Sequence, residues 1–535
     1  MSHPGSRYRS LAIVSALLMV LTSLGAMFSP VSAQEDRPVL VLAQNAGDIT
    51  SLDPHYASAT QDRSIVDMVF NGLIRYTPGD ATSFEPDLAT EIPEPVTEAD
   101  GTQTWTFSLR DDVMCQPSPA SDAYPLTADD VVFSLEKAAN ADTSAYAGDY
   151  AGMTFTKVDD ATVTITLEEP VGPAVFLPKV ANYSGGYIIC QQAYEALGAD
   201  AFVTNPVGTG PFMFESYTPQ NSVVLTANDD YFRGAPKLGG VDVRFIADNT
   251  ARELGLQSGE LDVINGLPEA QFVDRINGMG DFTADVFGVG EAIFLNLDVT
   301  NEYLQDERVR EAIILAVSRD NHVALQGSPV AEPIYSIVPT GIVNGSLSQE
   351  EADAAGVNYA QDIEKAKSLL AEAGYPDGFT LELVASEQAA YLTNYNVLAE
   401  ELRQIGITVE LEVVQHSAMH ELIREGSNAI TIYIAYRPSA DTYLTQFFSS
   451  AGGNTNFSHF TLDDEIAAAR GETDPDAQIA AWKDINTEIE ANYAGYGIMY
   501  TNQVYARSNK VDYGHELNSV PQLYPGIDET TSISD

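Results

Sequence analysis

Short runs of alternating apolar and polar residues recur along the chain, and longer runs with a helical repeat separate them. Residues 104–109 and 162–167 alternate with the two-residue period of a strand that buries one face. Residues 306–317 instead place apolar side chains three and four apart, as an amphipathic helix does. The pattern predicts further strands at 39–43, 223–227, 241–246, 294–297, 380–384, 407–414 and 431–435, and further helices at 251–258, 362–373 and 395–404. Strands and helices that alternate throughout are typical of an α/β protein.

Two helix ends are marked by their own residue types. Thr127 is a good N-cap, and Asp130 three residues later completes an acidic form of the capping box. Gly259 follows residues 251–258 and is suited to the left-handed conformation that ends many helices. We therefore expect a helix to begin directly after Thr127 and another to end at Gly259.

The first 33 residues differ from the rest of the chain because they contain no Asp or Glu. Arg7 and Arg9 precede an apolar stretch at 11–27, and Val-Ser-Ala at 31–33 is a small-residue cleavage site. This pattern predicts a signal peptide at 1–33, and a membrane anchor is the alternative. No Cys directly follows the apolar stretch at the predicted cleavage site, so we expect a periplasmic or otherwise extracytoplasmic protein that is not a lipoprotein.

The chain is strongly acidic, with 77 Asp and Glu against 26 Lys and Arg and a net charge of −51 over 535 residues. Hydrophobic residues make up 44%, enough for a folded core. A phosphate backbone needs clustered Lys and Arg, so nucleic acid is excluded as an expected partner.

Cys115 and Cys190 are the two cysteines. In an exported protein an even pair indicates a disulfide, and two buried free thiols are the alternative. Neither lies in a C-x-x-C motif, which argues against a redox or zinc role.

The motifs of common enzyme classes are missing from the sequence: it has no G-x-x-x-x-G-K-[ST], no G-x-S-x-G and no H-E-x-x-H. His416 and His420 have the spacing that a metal site on a helix uses. We expect His416 to lie before that helix begins, so two surface histidines are the preferred interpretation. The sequence therefore predicts a binding protein with no catalysis, no cofactor and no metal.

The segment 205–263 carries the most specific motifs: G-T-G-P-F at 208–212, N-D-D-Y-F at 228–232, R-G-A-P at 233–236 and S-G-E-L-D at 258–262. In this order they resemble the extracytoplasmic solute-binding proteins of the oligopeptide, dipeptide and nickel class, family 5, that serve ABC importers. Further segments similar to that family lie at 51–54, 71–74, 85–89, 105–110, 126–134, 306–312 and 371–379. The resemblance covers nearly the whole chain after residue 38.

The resemblance implies a two-lobed, periplasmic-binding-protein-like α/β fold of type II that closes on a ligand between the lobes. We predict that lobe one comprises 34–292 and 502–535, with an extra subdomain inserted at 77–204. Lobe two would comprise 293–501. Both cysteines would then lie in the inserted subdomain.

Departures from the family pattern bear on the ligand. The resemblance implies that dipeptide binders hold the α-ammonium with an Asp after the strand at 431–435 and the α-carboxylate with an Arg after the strand at 380–384. Ser439 stands at the Asp position, and residues 380–401 contain no Arg or Lys. Asp441 is a candidate replacement for the acid. Arg437 could pair with a carboxylate or phosphate of the ligand, or form a salt bridge with a nearby acid instead.

Other candidate ligand-binding residues come from both predicted lobes. Ser58 and Thr60 match the family loop that meets the ligand from lobe one, and Asn296 lies on the first segment that crosses between the lobes. Hydroxyl-tipped rings suit a polar organic solute, although core packing is the alternative for each tyrosine. The candidate tyrosines are Tyr183, Tyr395, Tyr433 and Tyr436.

The resulting prediction is a monomeric binding protein that delivers its ligand to the permease subunits of an ABC importer. An oligopeptide is the first expectation for the ligand, and an oligosaccharide or an opine-like solute is the alternative. A sensory binding protein of the same fold is a further alternative.

Overall fold

The computed structural model describes residues 37–288, 290–340 and 343–534, so the predicted signal peptide lies outside the described residues. The strands are β1 (Val39–Gln44), β2 (Asn71–Gly72), β3 (Ile74–Tyr76), β4 (Phe84–Pro86), β5 (Val96–Thr97), β6 (Gln103–Ser108), β7 (Met114–Cys115), β8 (Tyr124–Pro125), β9 (Met153–Asp159), β10 (Thr162–Leu167), β11 (Tyr187–Ile188), β12 (Phe212–Thr218), β13 (Ser222–Ala227), β14 (Gly240–Phe245), β15 (Val263–Asn265), β16 (Phe282–Phe287), β17 (Ala292–Leu297), β18 (Ala331–Pro333), β19 (Thr380–Ser386), β20 (Thr408–Val414), β21 (Ile430–Ala435), β22 (Gly495–Thr501), β23 (Gln503–Ser508), β24 (Val511–Asp512) and β25 (Ser532–Ile533).

The α-helices of the described residues are α1 (Thr60–Val69), α2 (Ala128–Ala139), α3 (Pro173–Phe176), α4 (Gln191–Leu197), α5 (Ala199–Phe202), α6 (Asn249–Ser258), α7 (Ala270–Asn277), α8 (Glu307–Ala316), α9 (Arg319–Val323), α10 (Gln349–Ala355), α11 (Ile363–Glu372), α12 (Ala389–Gln404), α13 (His416–Arg424), α14 (Ala440–Phe448), α15 (Asp463–Gly471) and α16 (Pro475–Ala491). None of them is long and apolar enough to cross a membrane.

Lobe one is built on a seven-stranded mixed sheet in the order β12-β13-β14-β1-β15-β23-β16. The predicted strand near residue 39 lies inside this sheet, where β1 runs parallel to both β14 and β15. Strands buried in this way read as continuous apolar runs, which is the pattern of β1.

A four-stranded antiparallel sheet, β5-β6-β10-β9, forms a separate layer in the N-terminal half. Its two alternating strands, β6 and β10, bury every second side chain, and Trp105 stacks on Phe176 with ring centroids 4.4 Å apart. Thr127 caps α2 in a capping box with Asp130, as predicted. The Cys115–Cys190 disulfide is confirmed: it joins β7 to the start of α4, with Cα atoms 5.8 Å apart.

Lobe two has its own four-stranded sheet, β18-β22-β17-β21, beside the parallel pair β19-β20. All six residues of β17 are buried. A core of aliphatic and aromatic side chains surrounds this sheet, separate from the cores of lobe one.

The chain passes between the two large sheets twice. It leaves the first sheet after β16 and enters the second at β17, then returns between β22 and β23. The passages touch, because the Thr501 N–H donates to the Glu291 carbonyl at 3.0 Å. A Cβ atom on Gly290 would lie 1.1 Å from the Thr501 carbonyl oxygen, so this close approach requires glycine. Two lobes joined by two adjacent passages give the two-lobed type II fold, as predicted.

Two local predictions need correction. Helix α12 begins at Ala389, six residues before the predicted start, since Gln388 adopts the extended N-cap conformation without a side-chain cap that the sequence would reveal. His416 is the first residue of α13 and does not precede it.

Candidate functional site

A cavity of about 640 Å³ lies between residues 148–184 of the N-terminal half and residues 438–470 of lobe two. One wall contains residues 148–153, 167–169, Lys179, Tyr183 and Ser184. The other contains Pro438, Ser439, Asp441, Thr442, Thr445, Gln446 and Arg470. Elements far apart in sequence thus line one cleft, which is the arrangement expected for a ligand that contacts both lobes.

The lobe-two wall follows directly from the end of β21. Ser439 is the N-cap of α14, where its Oγ accepts a hydrogen bond from the Thr442 N–H at 3.2 Å. Ser is favoured at this position because its side chain satisfies a free N–H of the first helical turn. The residue that replaces the acid of dipeptide binders therefore caps the helix.

Asp441 lines the cleft but already has a cationic partner. Arg470 Nε and Nη2 donate to its two carboxylate oxygens at 2.9 and 3.2 Å, and Nη2 also donates to Thr445 Oγ1 at 2.6 Å. A bidentate pair of this kind balances the carboxylate charge within lobe two. Asp441 is therefore poorly placed to hold the α-ammonium of a peptide.

Arg437 is held by its own lobe. Its Nε donates to Gln446 Oε1 at 2.5 Å, and Nη1 donates to the Tyr436 carbonyl at 2.7 Å. Among the described residues no carboxylate lies within 4 Å of its guanidinium, so the alternative salt bridge with a nearby acid does not form there. Glu291 is a more distant neighbour: burial raises the pKa of its carboxyl group more than the Arg437 charge lowers it, although the residue as a whole remains exposed.

The lobe-one side contains an arginine that sequence reasoning missed. Ser58 is exposed and Thr60 is half-buried at the start of α1, and Arg63 follows Thr60 by one turn. The Arg63 guanidinium lies 5.1 Å from the centre of the Tyr183 ring. Its Nε is buried and has no hydrogen-bond partner in the part of the chain that the structure describes.

Tyrosines surround this guanidinium from both lobes. Burial, the first cause, acts to lower the pKa of Arg63. The electrostatic influence of Tyr183, Tyr146 and Tyr436, together with a side-chain hydrogen bond to Tyr146, outweighs burial, so the net pKa is above the ordinary value. Burial, followed by Tyr183 and other tyrosines, raises the pKa of Tyr436 well above its ordinary value. We call Arg63, Tyr146, Tyr183 and Tyr436 the Arg63 cluster. It brings together two predicted residues, Tyr183 and Tyr436, beside the predicted loop of Ser58 and Thr60.

Of the predicted residues, Tyr183 and Asp441 line this cavity; Ser58, Thr60, Tyr436 and Arg437 are not among its lining residues, and three more are core residues. Asn296 is fully buried on β17, with neither side-chain amide atom hydrogen-bonded. Tyr395 is fully buried, and its hydroxyl accepts from the Ile432 N–H at 3.0 Å. Tyr433 packs against Phe447 with ring centroids 5.1 Å apart. Both tyrosines pack in the core of lobe two, as the alternative interpretation has it.

The histidine pair lies on one face of α13, with the two Nε2 atoms 3.2 Å apart. Burial, the first cause, lowers the pKa of His420, and His416 lowers it further. No group of three or more His, Cys, Asp or Glu within the described ranges is arranged to hold a metal ion.

Comparison with known proteins gives consistent matches. The family model described as "Bacterial extracellular solute-binding proteins, family 5 Middle" matches residues 83–455. The structure resembles MoaA of A. tumefaciens R10 in complex with mannopinic acid, with 37% identity and a TM-score of 0.73 over 93% of this chain and 100% of that one. It also resembles HbpA2 of Haemophilus parasuis, with 24% identity and a TM-score of 0.81 over 93% and 100%. The glutathione-binding protein GsiB of Salmonella paratyphi A is 26% identical over 85% of this chain and 87% of its own.

Proposed function

The chain belongs to the bacterial extracellular solute-binding proteins of family 5 and is the substrate-binding component of an ABC importer, and we propose that it carries an opine-like conjugate of a sugar and an amino acid. The ligand would enter the cleft between the lobes, and the closed form would present it to the permease subunits. A ligand that contacts both lobes favours closure because it binds the closed state more tightly than the open one.

The observation that carries this choice of ligand is the Asp441–Arg470 pair. With Ser439 used as a helix cap, neither position offers a free carboxylate to a peptide α-ammonium. A buried ammonium without a partner costs several kcal/mol, so a dipeptide would bind weakly. The 37% identity with a protein that was solved with mannopinic acid supports the same choice. The oligopeptide that the family resemblance favoured at first becomes the alternative.

The remaining features complete the proposal. The leader at 1–33 would be removed on export, leaving a periplasmic or otherwise extracytoplasmic monomer without a lipid anchor. It would bind and release its ligand unchanged, since no catalytic motif occurs in the sequence.

A thermal-shift panel tests the proposal on the exported protein. The panel contains mannopinic acid, a hexose–glutamate conjugate, glutathione, di- to pentapeptides, oligosaccharides and nickel. A ligand at about 100 times its dissociation constant adds ~2.7 kcal/mol of stability, which such an assay resolves. We expect the two sugar conjugates to shift the melting temperature and to be recovered unchanged. A shift with peptides alone, or chemical conversion of the ligand, would contradict the proposal.

A further inference from the structure

We propose that the Arg63 cluster is the subsite that binds a carboxylate of the ligand, which makes the ligand an organic acid with one carboxylate at this position. The inference deepens the proposed function and rests on it. It assigns charge recognition to lobe one, on a side of the cleft where the sequence offered only Ser58 and Thr60.

Arg63 has no acidic partner among the described residues, and Tyr146 is the one side-chain hydrogen-bond partner that raises its pKa. Arg252 donates to the Ile246 and Asn265 carbonyls at 2.6 and 2.9 Å, and Arg310 donates to the Leu304 carbonyl at 2.8 Å. Among the described residues, no carboxylate lies within 4 Å of the Arg63 guanidinium, and its buried Nε is unsatisfied. Arg252 and Arg310 also meet no carboxylate within the described part of the chain, but their guanidinium groups donate to carbonyl oxygens, whereas the buried Arg63 Nε has no such partner. An incoming anion would supply the missing partner.

The cluster lies between the lobes, and its member Tyr183 lines the cavity. Arg63 and Tyr183 come from lobe one and its inserted subdomain, whereas Tyr436 directly follows β21 of lobe two. A carboxylate on Arg63 would also come within reach of phenolic hydroxyls, which can donate hydrogen bonds to it. Because these groups belong to both lobes, the bound carboxylate would stabilise the closed form.

The single positive charge of the cluster favours a carboxylate over a phosphate. A guanidinium can bind either group through two parallel N–H donors. A phosphate ester carries about −1.5 to −2 charges at neutral pH and needs more than one cation to balance it. The tyrosines of the cluster add no positive charge, so one guanidinium matches one carboxylate.

Calorimetric titration of the exported protein tests the assignment with two probes, a hexose–glutamate conjugate and the same conjugate with its carboxylates converted to amides. The variant is Arg63→Gln, with Arg63→Lys as a form that keeps the charge and loses the paired donors. Arg403→Gln is the matched control, since it removes the same charge from the exposed face of α12, where Arg403 pairs with Glu400. We expect R63Q to lose at least ~30-fold in affinity for the acid, as truncation of one partner in a buried charge pair does.

Further comparisons separate a charge-reading role from a structural one. R63Q should bind acid and amide equally, R63K should fall between R63Q and the wild type, and R403Q should retain the affinity of the wild type. Retention of acid binding by R63Q, or equal loss of acid and amide, would overturn the inference. Tighter binding of the amide by the wild type would do the same. Binding of a sugar phosphate in preference to the carboxylate would also contradict it.

A ligand-free measurement keeps the inference testable even if no probe binds and the proposed function fails. Arg63→Met removes a cation that meets no carboxylate in the unliganded protein, so we expect the urea midpoint of that protein not to fall. A lower midpoint in R63M would show that Arg63 supports the fold, and this would refute the assignment.

Discussion

The disulfide between Cys115 and Cys190 gives a stability prediction whose size follows from the structure. It closes a loop with a sequence separation of 75, and both sulfur-bearing side chains are fully buried. The chain-entropy estimate for a loop of this length is ~4 kcal/mol. We therefore expect the double variant Cys115→Ala/Cys190→Ala to lose about 4 kcal/mol of unfolding free energy in the inserted subdomain.

The two tryptophans make the loss measurable in each part of the molecule. Trp105 lies in the subdomain sheet, Trp482 lies on α16 of lobe two, and both are buried. Fluorescence in the Trp482→Phe background reports on the subdomain, and fluorescence in the Trp105→Phe background reports on lobe two. With a urea m-value of about 1–3 kcal/mol/M, the loss lowers the Trp105 midpoint by roughly 1.3–4 M.

Lobe two supplies the internal reference, because the urea midpoint reported by Trp482 should be the same in the double variant and in the wild type. Wild-type protein that is unfolded and then refolded with a thiol reductant should behave like the double variant. If the unfolding free energy reported by Trp105 falls by less than about 1 kcal/mol, the loop-entropy reasoning is refuted. Equal shifts at both tryptophans would refute the localisation.

Three further predictions concern the passages, a buried carboxyl group and the cleft wall. Gly290→Ala places a Cβ within 1.1 Å of the Thr501 carbonyl oxygen, so the passages must separate; calorimetry should show at least ~10-fold weaker ligand binding, and unchanged affinity would contradict this. Burial raises the pKa of Glu490 to about 8, so its contribution to stability is full below pH 4.5 and is lost as the pH rises through 8. In urea titrations the unfolding free energy of Glu490→Gln should therefore rise relative to that of the wild type from pH 5 to pH 8. A difference between the two free energies that does not change with pH would count against the assigned pKa. Asp441→Asn leaves the half-exposed Arg470 unpaired and should cost ~1 kcal/mol without weakening ligand binding, whereas a selective loss of peptide binding would restore the oligopeptide alternative.

Local signals in the sequence were sufficient for most elements of the fold. The alternation at 162–167 matches β10 residue for residue, and the Thr127–Asp130 capping box fixes the start of α2. Such features depend on contacts within a few residues, which the sequence displays directly. The start of α12 could not be found in this way because Gln388 forms no side-chain cap.

The candidate site depended on contacts that sequence spacing does not show. Asp441 is neutralised by Arg470, which lies 29 positions away on a different helix. Asn296 occupies a strand that is buried on both faces, so the sequence does not show whether its side chain faces the ligand or the core. Arg63 carried no signal of its own, because the absence of an acidic partner emerges only when both lobes are in place.

Small-angle X-ray scattering of residues 34–535 with and without the hexose–glutamate conjugate tests the central claim most directly. If the two lobes close on an organic acid through the Arg63 cluster, the radius of gyration should fall on addition of the conjugate, and the conjugate should be recovered unchanged. The amide form should cause a smaller change at the same concentration. An unchanged radius at a concentration that saturates binding, or an equal response to acid and amide, would contradict closure on a carboxylate between the lobes.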